Sequence, residues 1–271
     1  MNDQFKIDLQ IERSARVTGG CIHECYRVSI QGKEWFLKTN SIRHEDAFAA
    51  EADALAGLRG AGYRAPMPQA HGVAAGRAYL LMEFLDLKGR IDFPALGRML
   101  AQAHRSVGPG FGWDRDNYIG ATPQANGWCD DWAQFWRERR MKPQLELAKR
   151  NGFSLPEVPL TLLQGRAPQP CLLHGDLWSG NASFTPIGPV VFDPAAYYGD
   201  READLAMTEL FGGFPPDFYS SYRAAYPLDA GYERRKHLYN LYHLLNHLNL
   251  FGRSYLGQVE ETLSLLRGRS L

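Results

Sequence analysis

An acid, an amide and a second acid stand at telling intervals in the second half of the chain. Asp176 and Asn181 are five positions apart (181 minus 176) in the run His174-Gly175-Asp176-Leu177-Trp178-Ser179-Gly180-Asn181, and Asp193 follows twelve positions later (193 minus 181). Phosphoryl transfer uses such a set: a carboxylate orients the attacking hydroxyl and accepts its proton, while oxygen ligands hold magnesium against the phosphates. Asp176 is the expected base, with Asn181 and Asp193 the expected metal ligands. Taken singly, each reads as a turn cap or a strand-end acid. The spacing, set between the apolar runs Leu172-Leu173 and Val190-Val191-Phe192, carries the joint reading. His174 is expected to brace the loop through hydrogen bonds, because the base stands two positions beyond it.

Such a loop needs a partner site for nucleotide in the first third of the chain. Lys38 closes the apolar run Trp35-Phe36-Leu37, and Glu51 follows thirteen residues later in a helical stretch, the arrangement in which a lysine reaches the phosphates and an acid holds it. Glu45 competes for the same partner. Gly19 and Gly20, within Thr18-Gly19-Gly20-Cys21, are candidates for a loop whose backbone N–H groups approach the phosphates. Met82-Glu83-Phe84-Leu85 is the candidate hinge, with main-chain groups of Glu83 and Leu85 offered to adenine.

The elements that must carry these residues are legible from periodicity. Tyr26, Val28 and Ile30 alternate with polar residues, Gln31-Gly32-Lys33 makes a turn, and residues 35–38 resume the pattern, which predicts a hairpin. Residues 45–59 place Phe48, Ala52, Leu55 and Leu58 at helical spacing. Residues 78–82 read as a buried strand ending at Glu83. Asp92 should cap a helix reaching Val107, and Asp130 or Asp131 another carrying Trp132, Phe135 and Trp136, which Pro143 should kink or break. The two short runs around the catalytic loop suggest a second hairpin, and helices follow from Arg201 to about Arg267. The expected fold is α+β and bilobal: a β-rich nucleotide-binding lobe over residues 1–85 and a mainly helical catalytic and substrate-binding lobe over residues 86–271.

Composition narrows the partners. The chain has 271 residues, 45% of them hydrophobic, with 30 Lys+Arg against 30 Asp+Glu, so no global field draws it to nucleic acid or an anionic membrane. Its four cysteines lack zinc-like spacing, and no apolar run is long enough for a membrane span. With no export signal legible, the cytoplasm is the expected compartment. His237, His243 and His247 lie in an apolar helical stretch and are expected to be buried and hydrogen-bonded. The tryptophans at 128, 132 and 136, with Phe135, are expected in the core.

Several stretches resemble the fructosamine kinase (ketosamine-3-kinase) family across nearly the whole chain. They are Gly19-Gly20-Cys21-Ile22, Gln124-Ala125-Asn126-Gly127-Trp128 with Asp131-Trp132, Leu177-Trp178-Ser179-Gly180-Asn181, Asp193-Pro194-Ala195 with Tyr197-Tyr198-Gly199-Asp200-Arg201-Glu202, and Tyr239-Asn240-Leu241-Tyr242-His243-Leu244-Leu245-Asn246-His247. The resemblance implies a kinase-like fold, ATP with Mg²⁺, and a ketosamine substrate, small or protein-bound, whose C3 hydroxyl is deprotonated by Asp176. A 3-phosphate beside a carbonyl is labile, so the implied outcome is deglycation by a monomer or homodimer. Trp178 would stack on the sugar, Cys21 would be redox-sensitive, and Asp200, where the family often has His, would lie near the substrate. The alternative is a kinase of the same fold acting on an aminoglycoside or choline, with Asp200, Glu202 and Asp204 supplying an acidic pocket.

Overall fold

The computed structural model describes residues 3–17 and 22–268. After a short helix α1 (Asp3–Asp8), strands β1 (Arg13–Val17), β2 (Glu24–Ile30) and β3 (Lys33–Ser41) run antiparallel. The β2–β3 turn takes the left-handed conformation at both central residues, Gln31 (φ 51°) and Gly32 (φ 71°), the twist that a two-residue hairpin favours. Helix α2 (Glu45–Gly60) follows, then β4 (Pro68–Ala74) and β5 (Arg77–Glu83) complete a five-stranded sheet in the order β1-β2-β3-β5-β4.

Strand β5 is apolar on both faces because both are covered. Ala78, Leu80 and Met82 pack with Phe48, Leu55 and Leu58 of α2, whereas Leu81 joins Phe5, Val28 and Leu37 beneath the opposite face. The alternation therefore turns the even positions of β3 toward α2. Lys38 is one of them.

The rest is mainly helical. Helix α3 (Phe93–Ala103) is capped by Asp92, whose carboxylate accepts from the N–H of Ala95 at 2.8 Å. It stops four residues short of Val107, which lies half exposed and bridges Cys171. A small hairpin, β6 (Asn117–Ile119) and β7 (Thr122–Gln124), precedes α4 (Trp132–Phe135), which Asp131 caps through the N–H of Gln134 at 2.6 Å. Pro143 does not break this helix. A π-helical turn over Trp136–Met141 joins α4 to α5 (Lys142–Arg150), widening the coil just before the residue that lacks a donor. Trp132, Phe135 and Trp136 are buried as expected, but Trp128 is 42% exposed and leans on Tyr198.

The expected second hairpin is wired differently. Strand β8 (Cys171–Leu173) pairs with β11 (Tyr197–Gly199), and the loop between them holds its own hairpin of β9 (Ala182–Thr185) and β10 (Gly188–Val191). Helices α6 (Glu202–Glu209), α7 (Pro216–Ala225), α8 (Tyr232–Phe251) and α9 (Leu256–Leu266) close the chain. Gly97 lets α3 and α7 touch: a Cβ there would stand 2.4 Å from the carbonyl oxygen of Phe218. One apolar core runs from α2 and β5 through α3 to Leu172, Leu177, Val191 and Phe218.

Candidate active site

The β8–β11 pairing draws the two ends of the stretch from His174 to Ala195 together. Ala195 donates its N–H to the carbonyl of His174 (2.9 Å), and Phe192 donates to the carbonyl of Asn181 (3.0 Å). Gly175 makes the turn between them possible, with φ at 81° and a hypothetical Cβ only 2.0 Å from the oxygen of Ala195. His174 is fully buried: its Nε2 meets the carbonyl of Phe192 at 3.0 Å, and its Nδ1 accepts from the N–H of Asp176 at 3.3 Å. The ring spans from the loop to the strand end that carries Asp193.

Beneath the loop lies Asp204, fully buried in α6. Its carboxylate accepts from the N–H groups of His174 (2.7 Å) and Gly175 (2.8 Å), while His104 Nε2 stands at 3.2 Å. Burial alone would raise its pKa, but the His104 contact and the loop donors reverse that and hold it ionised.

Asp176 is partly buried. Burial, then the charge of Asp193, pushes its pKa up to about 7, against a hydrogen bond from Asn181 that lowers it. Asn181 donates Nδ2 to both the backbone oxygen (2.8 Å) and Oδ2 (3.2 Å) of Asp176. Asp193 holds a left-handed backbone (φ 58°), a conformation costly for a non-glycine residue and frequent where function demands it.

Lys38 reaches this acid from the sheet. Its Nζ donates to Glu51 Oε1 at 2.6 Å and to Asp193 Oδ1 at 2.5 Å. Burial works against the ammonium, yet the two carboxylates more than offset it, and Lys38 stays protonated. Glu45 is exposed at the start of α2, and the geometry selects Glu51.

The remaining candidates separate. The indole of Trp178 folds over Gly180, where a Cβ would approach it to 2.3 Å, and the residue stays 37% exposed. Glu83 spends its N–H on the carbonyl of Met67 (2.9 Å), so that donor is not open to a ligand, and Leu85 is half-buried after β5. Gly19, Gly20 and Cys21 lie outside the described residues. Asp200 is not brought to the group. It is fully buried, held by Arg166 Nε at 2.6 Å and by the hydroxyl of Tyr239 at 2.7 Å, which replaces the expected substrate contact with an internal ion pair. Glu202 is likewise enclosed by Arg235 and Arg166.

Sequence reasoning missed one neighbour of Asp176. His243 of α8 is buried with Nδ1 3.9 Å from Asp176 Oδ1, and that nitrogen has no hydrogen-bond partner, contrary to the expected satisfied core histidine. The signal available was its place in the stretch shared with the family.

Among the described residues no group of three His, Cys, Asp or Glu side chains could hold a metal. Asn181 and Asp193 still fit a hard cation completed by phosphates and water. Asn181 commits its nitrogen to Asp176, which leaves Oδ1, and Lys38 takes Oδ1 of Asp193, which leaves Oδ2.

A sheet with a lysine–glutamate pair, facing an acid-bearing loop on a helical half, defines the class of kinase-like phosphotransferases. The fold comparison agrees: an aminoglycoside phosphotransferase crystal structure superposes with a TM-score of 0.58 at 15% identity, over 97% of this chain and 94% of that one. The chain itself belongs to the fructosamine kinase family, whose family model matches residues 1–267. It is 46% identical over 265 residues to a probable ketoamine kinase of Synechocystis sp., covering 94% of this chain and 90% of that protein. It is 41% identical over 261 residues to the chloroplastic protein-ribulosamine 3-kinase of Arabidopsis thaliana, covering 91% and 80%. A provisionally named fructosamine-3-kinase from Haemophilus somnus superposes with a TM-score of 0.89 at 30% identity, over 97% and 95% of the two chains.

Proposed function

We propose that the chain transfers the γ-phosphoryl group of ATP to the C3 hydroxyl of ketosamines, fructosyl or ribulosyl adducts of small amines or proteins. The observation that carries this reading is the convergence of Lys38, Glu51 and Asp193 in one ion-paired group, beside a loop in which Asp176 is hydrogen-bonded to Asn181. Lys38 supplies a fixed cation for the phosphates, and Glu51 keeps it aimed. Asp176 orients the attacking hydroxyl and accepts its proton. Mg²⁺, held by Asn181 and Asp193, would neutralise phosphate charge. Trp178 offers an exposed aromatic face to the sugar, and the carbonyl of Glu83 with the main chain of Leu85 would meet adenine, dividing the chain near residues 85 and 86. The product, a phosphate beside a carbonyl, eliminates readily and frees the amine, so the role is deglycation in the cytoplasm. No helix of the described residues is long and apolar enough to cross a membrane.

Choline-type or aminoglycoside substrates fit less well. The acids that would attract such cations, Asp200, Glu202 and Asp204, are buried and already paired with Arg166, Arg235 and His104. The test is ADP release by purified protein with MgATP and synthetic ribulosyl- and fructosyl-lysine. Asp176→Asn is expected to bind nucleotide as the wild type does and to lose turnover by about 10³-fold or more. Turnover that answers to another alcohol and to no ketosamine would sink the substrate assignment.

A further inference from the structure

The geometry points to His243 as the residue that holds the acceptor hydroxyl against Asp176, through a hydrogen bond from its Nδ1. This inference rests on the phosphotransferase reading above. It goes beyond it by assigning a substrate contact to a helix distant in sequence from the catalytic loop.

Three observations carry it. Nδ1 of His243 is buried without a partner, in a residue only 3% exposed, and a buried polar atom left unpaired in a native fold calls for an explanation. The nitrogen stands 3.9 Å from Asp176 Oδ1, too far for a hydrogen bond between the two. One hydroxyl oxygen set to one side of the line joining them, about 2.8 Å from each, satisfies both. Finally, the helix is held in place around the ring. Tyr242 is tied to Gln124 Oε1 (2.7 Å), Asn246 accepts from Gln144 (3.1 Å), and His247 Nδ1 meets the carbonyl of His243 (2.9 Å). The helix is pinned on both sides of the orphaned nitrogen, which is the condition for a preorganised contact.

Burial, with the neighbouring His247 adding to it, lowers the pKa of His243 to about 3, so its imidazole is neutral. In the Nδ1–H tautomer it donates to a lone pair of the hydroxyl oxygen, and the hydroxyl proton points at Asp176. In the transfer, the O–H bond breaks and its proton passes to Asp176. The oxygen bonds to the γ-phosphorus, and the bond from that phosphorus to the leaving nucleoside diphosphate breaks. His243 gains and loses no proton. Its substrate is therefore an alcohol whose acceptor hydroxyl can lie beside both atoms at once.

The experiment compares wild type, His243→Phe and His243→Asn, with ribulosyl-lysine and MgATP as the probes. Phe keeps a ring without the nitrogen, and the amide of Asn falls near the position of Nδ1. His243→Phe is expected to lower kcat by about 10²-fold, in the range of losing one donor at a reacting oxygen, with KM for ATP and the nucleotide Kd unchanged. His243→Asn should recover most of that loss. A His243→Phe enzyme within threefold of wild type, or an Asn variant no better than Phe, overturns the inference. If His243→Phe does not fold, His243→Asn against His243→Ala gives the same reading. Failure of the substrate assignment looks different: wild type is then inactive on ribulosyl-lysine, and the variants are compared on whichever alcohol it does phosphorylate.

Discussion

Asp204 ties down the loop that carries Asp176. Two backbone donors and His104 converge on one buried carboxylate. Asp204→Ala would strand two buried N–H groups at about 1–3 kcal/mol each, so a loss of about 3–5 kcal/mol is expected in urea unfolding, with activity lost as well. A loss under 1 kcal/mol would show that the loop holds itself. The grouping of Lys38, Glu51 and Asp193, with Asp176 beside Asn181, was legible because phosphoryl transfer asks for those residue types at those intervals. The places of Asp204 and His243 were not, because they depend on which helix passes behind the loop, and an acid or histidine in an apolar helix looks the same whichever way it faces.

Between elements, two close approaches are made where a side chain is missing. Gly97 brings α3 onto the carbonyl of Phe218, and Gly175 brings the catalytic loop onto that of Ala195. Gly97→Val should force the helices apart and cost about 1–3 kcal/mol, read as a lower urea midpoint, with nucleotide affinity unchanged. Weakened nucleotide binding at unchanged stability would contradict that separation. The first hairpin and α2 could be read from alternation and helical spacing. The pairing of β8 with β11 could not, since strands of three or four residues carry no period, and β9 begins directly after Asn181 with no turn residue between them. Pro143 misled for a physical reason: the expected break assumes α-helical geometry, and the π-turn before it supplies another.

At the scale of the whole molecule, acid should weaken the fold through His243. Its pKa lies at about 3 in the folded chain against about 6.5 unfolded, so between those values only the unfolded chain takes up the proton. Its contribution is therefore complete above about pH 6.5 and falls with pH at about 1.4 kcal/mol per unit. Asp176, raised to about 7, works in the opposite sense, so the wild type alone does not isolate the effect. From pH 7.5 to 5.0, wild type should lose about 2 kcal/mol more than His243→Phe by urea unfolding. Equal losses would place a charged histidine in the folded state. The order of elements made the α+β class legible. The path of the core was not, because no periodicity records which apolar faces meet. That core crosses from α2 and β5 into the helical half without a gap, joining Phe48, Leu55 and Leu80 to Leu172, Val191 and Phe218. Chain severed after residue 85 would thus leave two pieces that each expose one side of that shared core. Neither should fold alone, and the two should regain structure on mixing. In hydrogen exchange, the amides of α2 and α3 should open together as one unit, while the polar edge strand β1 opens earlier.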